Sequence, residues 1–143
     1  MPFRFDDKIS PADVAFAAWG ATQEELFIAS AAALLRTMVE DPEEVTRQQS
    51  LTIQLENEEF DLLLWAFLSE LIFYKDARRL LLHADAVRIE EGDGIFRLEA
   101  QVSGEEIDVD RHHCLVDVKA VTLHCFRVVY AEGCWKAVVV LDV

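Results

Sequence analysis

Apolar residues recur along the first half of this chain with a helical period and along the second half with an extended one. Phe27, Ala31, Leu34, Leu35 and Met38 follow each other at three- and four-residue spacing, the stripe of a helix that buries one face. Thr22-Gln23-Glu24-Glu25 precedes them and reads as a capping box, with Thr22 as N-cap and Glu25 at N3. The predicted helix therefore runs from there to about Val39 and ends at Asp41-Pro42. Leu51, Ile53 and Leu55 alternate with Thr52 and Gln54, which predicts a half-buried strand. Asn57 can cap a second helix over residues 58 to about 75, with Phe60, Leu64, Phe67, Leu68 and Leu71 facing inward. That segment is apolar on most faces, so it is expected between layers.

The second half reads as hairpins. Residues 86–90 and 95–102 flank Glu91-Gly92-Asp93-Gly94, in which Asp93-Gly94 is a turn signal. Residues 118–130 and 135–143 flank Ala131-Glu132-Gly133-Cys134 and predict a second hairpin, with a short helical or looped connection at 108–113. Helices early and hairpins late predict one α+β domain over residues 1–143: two layers, an antiparallel or mixed sheet and two main helices. With five Gly and three Pro, nothing in the chain reads as a linker.

Charge and cysteine content narrow the function. The 143 residues carry 27 acids against 13 Lys and Arg, a net −14, and the only tight basic pair is Arg78-Arg79. A protein that grips nucleic acid by its phosphates carries a basic stripe, so direct nucleic-acid binding is not expected. An acidic body suits a basic protein partner or cations. No apolar run reaches the ~18 residues of a membrane span and no secretory signal is visible, so a cytoplasmic protein is expected. Three cysteines without framework spacing agree with a reducing compartment.

The candidate chemistry lies in the last forty residues. The chain closes on V-V-V-L-D-V, so Asp142 adjoins the terminal carboxylate of Val143, a natural start for a hard-cation site. His112, His113, Cys114, His124, Cys125 and Cys134 invite a zinc reading. Adjacent residues on a strand point to opposite faces, however, and no C-x-x-C is present, so a tetrahedral site is not expected. A Cys114, His124 and Asp142 triad is a combination that any chain of this size offers. Taken as one strand, 116–123 would place Asp117 and Lys119 on the same face, where they would form an exposed ion pair.

Several ordered motifs give the chain a resemblance to the archease family, small proteins that act on RtcB-type RNA ligases. They are Ser10-Pro11-Ala12-Asp13 followed by a short strand at 14–19, then Gly20-Ala21-Thr22-Gln23-Glu24-Glu25, and the F-L-S-E-L-I-F segment at 67–73. G-E-E-I-D-V-D-R-H at 104–112, V-K-A-V-T-L-H at 118–124 and the closing V-V-V-L-D-V complete the set, which spans nearly the whole chain. One departure stands out: Ser10 occupies the position of a family histidine. The resemblance implies a metal site made by Asp13, Asp142 and the Val143 carboxylate, with calcium the first choice and magnesium or manganese the alternatives. It also implies a functional surface role for Lys119 beside that site, and a structural or partner-facing role for His112. The function it implies is a protein cofactor, not an enzyme: it promotes guanylation and turnover of a tRNA-splicing and RNA-repair ligase. An acidic chaperone or adaptor acting without metal and a metal-dependent phosphoester hydrolase are the alternatives.

Overall fold

A computed structural model of the chain describes residues 2–6 and 13–143. Two strands, β1 (Phe3–Phe5) and β2 (Asp13–Gly20), precede helix α1 (Gln23–Met38). The capping box forms with one shift. Thr22 Oγ1 accepts the Glu25 N–H at 3.1 Å, but the Glu25 carboxylate takes the Ala21 N–H at 2.8 Å instead of that of Thr22. Asp41 caps a single 3-10 turn at Pro42–Glu44, and β3 (Gln49–Asn57) follows with Ile53 buried and Thr52, Gln54 and Glu56 exposed.

Helix α2 (Phe60–Arg78) begins at Phe60 and not at 58, because Asn57 accepts the Glu59 N–H at 2.9 Å and closes a turn ahead of the helix. It ends on Arg79 in the left-handed conformation, φ 55°. Two hairpins complete the chain: β4 (Leu80–Gly92) with β5 (Ile95–Glu106), and β6 (Ala120–Ala131) with β7 (Cys134–Asp142). Each has a two-residue turn with both residues at positive φ, Asp93 and Gly94 in one, Glu132 and Gly133 in the other. This is the turn whose twist matches that of the strands.

Among the described residues the strands form two antiparallel sheets, ordered β1-β2-β7-β6 and β3-β5-β4. The class is α+β, as predicted, with two sheets in place of one. Helix α1 packs on β2 and β4, and α2 on β3, β4 and β6, so each helix touches both sheets. The more enclosed helix is α1, not α2. Ala29, Ser30, Ala31 and Ala33 of α1 are buried and short enough to admit strands on two sides. In α2 the buried residues Leu63, Leu64, Phe67, Leu68, Leu71, Ile72 and Lys75 keep to one stripe, and Phe73 is exposed.

The register of the first sheet brings the two ends of the chain together. β2 and β7 pair from Asp13↔Asp142 through Gly20↔Trp135 without a shift. On the other side of β7, Ala120 is opposite Asp142 and Thr122 opposite Val140. The ladder then slips, so that Leu123, His124, Cys125 and Phe126 of β6 face Val139 alone before Arg127 resumes opposite Val138.

Candidate functional site

Asp13 and Asp142 lie near opposite ends of the chain and are direct cross-strand partners. Residues in that relation project to the same side of a sheet, with Cβ atoms about 4.5–5.5 Å apart. Two carboxylates in that relation stand close enough for one cation to touch both. Val143 is half-buried and packs its side chain against the core, which fixes the chain end beside Asp142. Among the described residues no three His, Cys, Asp or Glu side chains converge as a metal cluster. An all-oxygen, carboxylate-rich donor set of this kind fits a hard divalent cation and not zinc. Ser10 lies outside the described residues.

A buried polar atom stands beside this pair. The Thr122 hydroxyl is shielded from solvent and makes no hydrogen bond, a state that costs about 1–3 kcal/mol. Thr122 lies two residues inward from the row Asp13, Asp142 and Ala120, on the same side of the sheet.

Lys119 comes to the pair by its main chain: its N–H donates to the Asp142 carbonyl at 2.8 Å, and its side chain is exposed. The expected partnership with Asp117 is not formed. Asp117 binds Lys75, which the sequence pattern marks only as the end of α2. The Lys75 ammonium is buried and also contacts Asp76 at 2.7 Å and the Val118 carbonyl at 2.8 Å. Burial pulls the Lys75 pKa down, but the two carboxylates outweigh it and leave it raised. The signal was present, because Lys75 extends the 64, 68, 71 stripe of α2 by one turn.

Nor is 114–119 a strand. The segment is strapped to the end of α1 by a bridge between Val39 and Cys114, by Leu115 N–H to the Met38 carbonyl at 2.8 Å, and by Glu40 N–H to the His113 carbonyl at 2.9 Å. β6 begins only at Ala120, where Trp65 Nε1 of α2 donates to the Val121 carbonyl at 2.9 Å. Lys75 and Trp65 thus hold the backbone on either side of Lys119 and Ala120.

His112 is an interior residue and presents no surface: its side chain is fully buried. Its Nδ1 accepts the Asp108 N–H at 2.9 Å, so Nε2 carries the proton and donates to Glu105 at 3.0 Å. Glu105 also binds the Arg111 guanidinium and the Thr46 N–H at 2.6 Å, and Arg111 reaches the Glu44 carbonyl at 2.7 Å. Arg111 foremost, against the opposing effect of burial, holds the Glu105 carboxyl down at about 2. This network ties β5 to the loop before β3 and folds the β5–β6 connection back on itself.

Cys114 and Cys125 are exposed and Cys134 is half-buried, and no metal cluster forms among them and the histidines within the described residues. No helix among the described residues is long and apolar enough to cross a membrane.

Similarity to known proteins extends over nearly the whole chain. The sequence profile of the Archease protein family matches residues 3–143. Protein archease of Thermococcus gammatolerans is 35% identical over 132 residues, 92% of each chain. That of Pyrococcus furiosus is 32% identical over 133 residues, 92% of this chain and 93% of its own. A solution structure from Methanobacterium thermoautotrophicum superposes with a TM-score of 0.86 at 33% identity, covering 99% of each chain. The Thermotoga maritima archease, described as a possible chaperone, has a TM-score of 0.58 over 96% of each chain, and at 16% identity the likeness is one of fold alone.

Proposed function

This chain belongs to the archease family, and from that premise we propose that it is a protein activator of an RtcB-type RNA ligase, carrying a divalent cation between Asp13, Asp142 and the Val143 carboxylate. Calcium is the first choice of ion, with magnesium or manganese next. The observation that carries this reading is the β2–β7 register, in which Asp13 and Asp142 are direct partners. When bound, the cation supplies positive charge that can meet the anionic oxygens of a nucleotide. Lys119, tethered to Asp142 through its main chain, adds a point charge at the same strand end. The −14 body favours docking on a basic protein surface in a cytoplasmic setting.

Single-turnover guanylation of a cognate RtcB-type ligase tests this. The wild-type chain is expected to accelerate it, and Asp142→Ala to lose most of that acceleration. Equal stimulation by the two would end the reading.

A second reading, an adaptor or chaperone acting without metal, draws on the apolar side chains exposed in the β5–β6 connection. Val109 is 72% exposed, Leu115 45% and Val116 38%. Undiminished stimulation after the cation is stripped from this protein, with the ligase metal-replete, would favour it.

A further inference from the structure

A lysine in the last turn of a helix ordinarily keeps its ammonium in water. Lys75 does not: its side chain is buried, and its Nζ contacts Asp76, Asp117 and, at 2.8 Å, the Val118 carbonyl. Stability does not account for that choice, because a buried ion pair is often no better than an apolar residue of similar shape. The consequence lies one bond further along the chain. The Val118 carbonyl and the Lys119 N–H belong to one peptide unit, and a trans peptide points them to opposite sides. Lys75 grips that carbonyl while the Asp142 carbonyl accepts the N–H at 2.8 Å, so a single rigid plane is held from both sides. An ammonium on its oxygen polarises the unit and makes its N–H a stronger donor. Trp65 fastens the chain again three residues on, through the Val121 carbonyl at 2.9 Å. Between these two anchors from α2, Lys119 and Ala120 are exposed, and only Lys119 carries a charge.

We propose that Lys75 is a positioning residue of the candidate site: by clamping the 118–119 peptide against Asp142 it fixes where the Lys119 charge stands at that strand end. This rests on the activator reading and extends it to a buried group of α2. With the clamp in place the Lys119 side chain starts from a fixed backbone, so less ordering is left to the moment of docking. Without it the buried Val118 loses its carbonyl's partner and the start of β6 is free to shift, a displacement of the kind that costs rate.

The test is single-turnover guanylation of a cognate RtcB-type ligase against rising concentration of the full chain, which separates the rate at saturation from the half-saturating concentration. Lys75→Met keeps the apolar stem and removes the ammonium. It is expected to lower the acceleration at saturation at least about 10-fold, with a half-saturating concentration near that of wild type. Loss of folded protein would do the reverse, raising the half-saturating concentration and leaving the plateau; that result would overturn the proposal. Lys119→Met and the double variant complete the cycle. If Lys75 acts through Lys119, the double variant is no slower than Lys119→Met alone. A wild-type plateau in Lys75→Met, or losses that multiply in the double variant, would overturn the proposal and leave the activator reading standing. Should Lys75→Met not fold, Asp76→Asn joined with Asp117→Asn takes its place in the same comparison. Both carboxylates are exposed, at 57% and 76%, and their loss frees the ammonium from its anchors. No acceleration by the wild type would remove the activator reading, and this proposal with it.

Discussion

Glu105 illustrates how a single side chain sets the shape of a connection. Its carboxylate gathers Arg111, His112 and the Thr46 N–H, and these bonds hold the path of the chain from β5 toward Lys119. Its pKa is lowered from 4.5 to about 2, so its contribution to stability is complete above the ordinary value and disappears as pH falls through the lowered one. Glu105→Gln keeps the geometry and removes the charge. Because Arg111 is 43% exposed, the expected cost is that of a charged hydrogen bond, about 1.5–3 kcal/mol near neutral pH. Urea unfolding of the two proteins should show that gap constant above pH 4.5 and closing as pH drops toward 2. A gap that did not vary with pH would mean that shape alone accounts for it. Lys75 plays the comparable part on the other side of the segment, and its position followed from a helical stripe that could be read directly. Glu105 could not be read in the same way: its partners lie in the loop before β3 and in the β5–β6 connection, and nothing in a strand pattern announces them.

At the level of elements, local chemistry was the better guide. The capping box, the alternation of β3 and both hairpin turns appear where the sequence puts them, because each depends on residues within a few positions of one another. The starts of α2 and β6 did not, since a turn at Asn57 and the strap to the end of α1 override the continuous pattern. β1 and the Leu80-Leu81-Leu82 start of β4 were missed because short apolar runs have no diagnostic period. The turn of the β6–β7 hairpin offers a test at this scale. Glu132 sits at φ 56°, a conformation costly for most L-residues and tolerated by Asn. Glu132→Asn is expected to raise stability by up to about 1 kcal/mol, seen as a higher thermal midpoint with no change in cation affinity. A lower midpoint would mean that the Glu132 side chain makes a contribution beyond the turn.

Across the whole molecule, β2 and β7 bring residues from opposite ends of the chain into one row, with Val143 following directly after Asp142. If Val143 contributes its terminal carboxylate, a peptide tag fused after it should weaken calcium binding by at least about 10-fold, whereas a tag before Met1 should leave it unchanged. Titration of the two tagged forms decides this, and equal affinities would remove the terminal carboxylate from the ligand set. The acidic balance belongs to the same scale. Several cations on the sheets and helices answer nearby acids, as in the Arg88–Glu99 pair at 2.7 Å and Arg97–Glu56 at 3.4 Å, while the excess of acid gives the body its −14.

What the amino-acid sequence determined by itself was local: which segments coil or extend, where Thr22 starts a helix, where Asp93-Gly94 and Glu132-Gly133 reverse the chain, and that the balance of charge is acidic. Such features rest on interactions between near neighbours, and a pattern of side chains specifies them. The direct pairing of Asp13 with Asp142 was legible only through resemblance to a family. The pairing of Lys75 with Asp117, the interior place of His112 and the unpartnered hydroxyl of Thr122 were not legible at all. Each depends on strand register and on the packing of helices against two sheets, where a slip of one residue would turn every side chain of a strand to the other face. Only the folded chain fixes that register, because it is chosen by the burial of the whole core and not by the residues that end up facing one another.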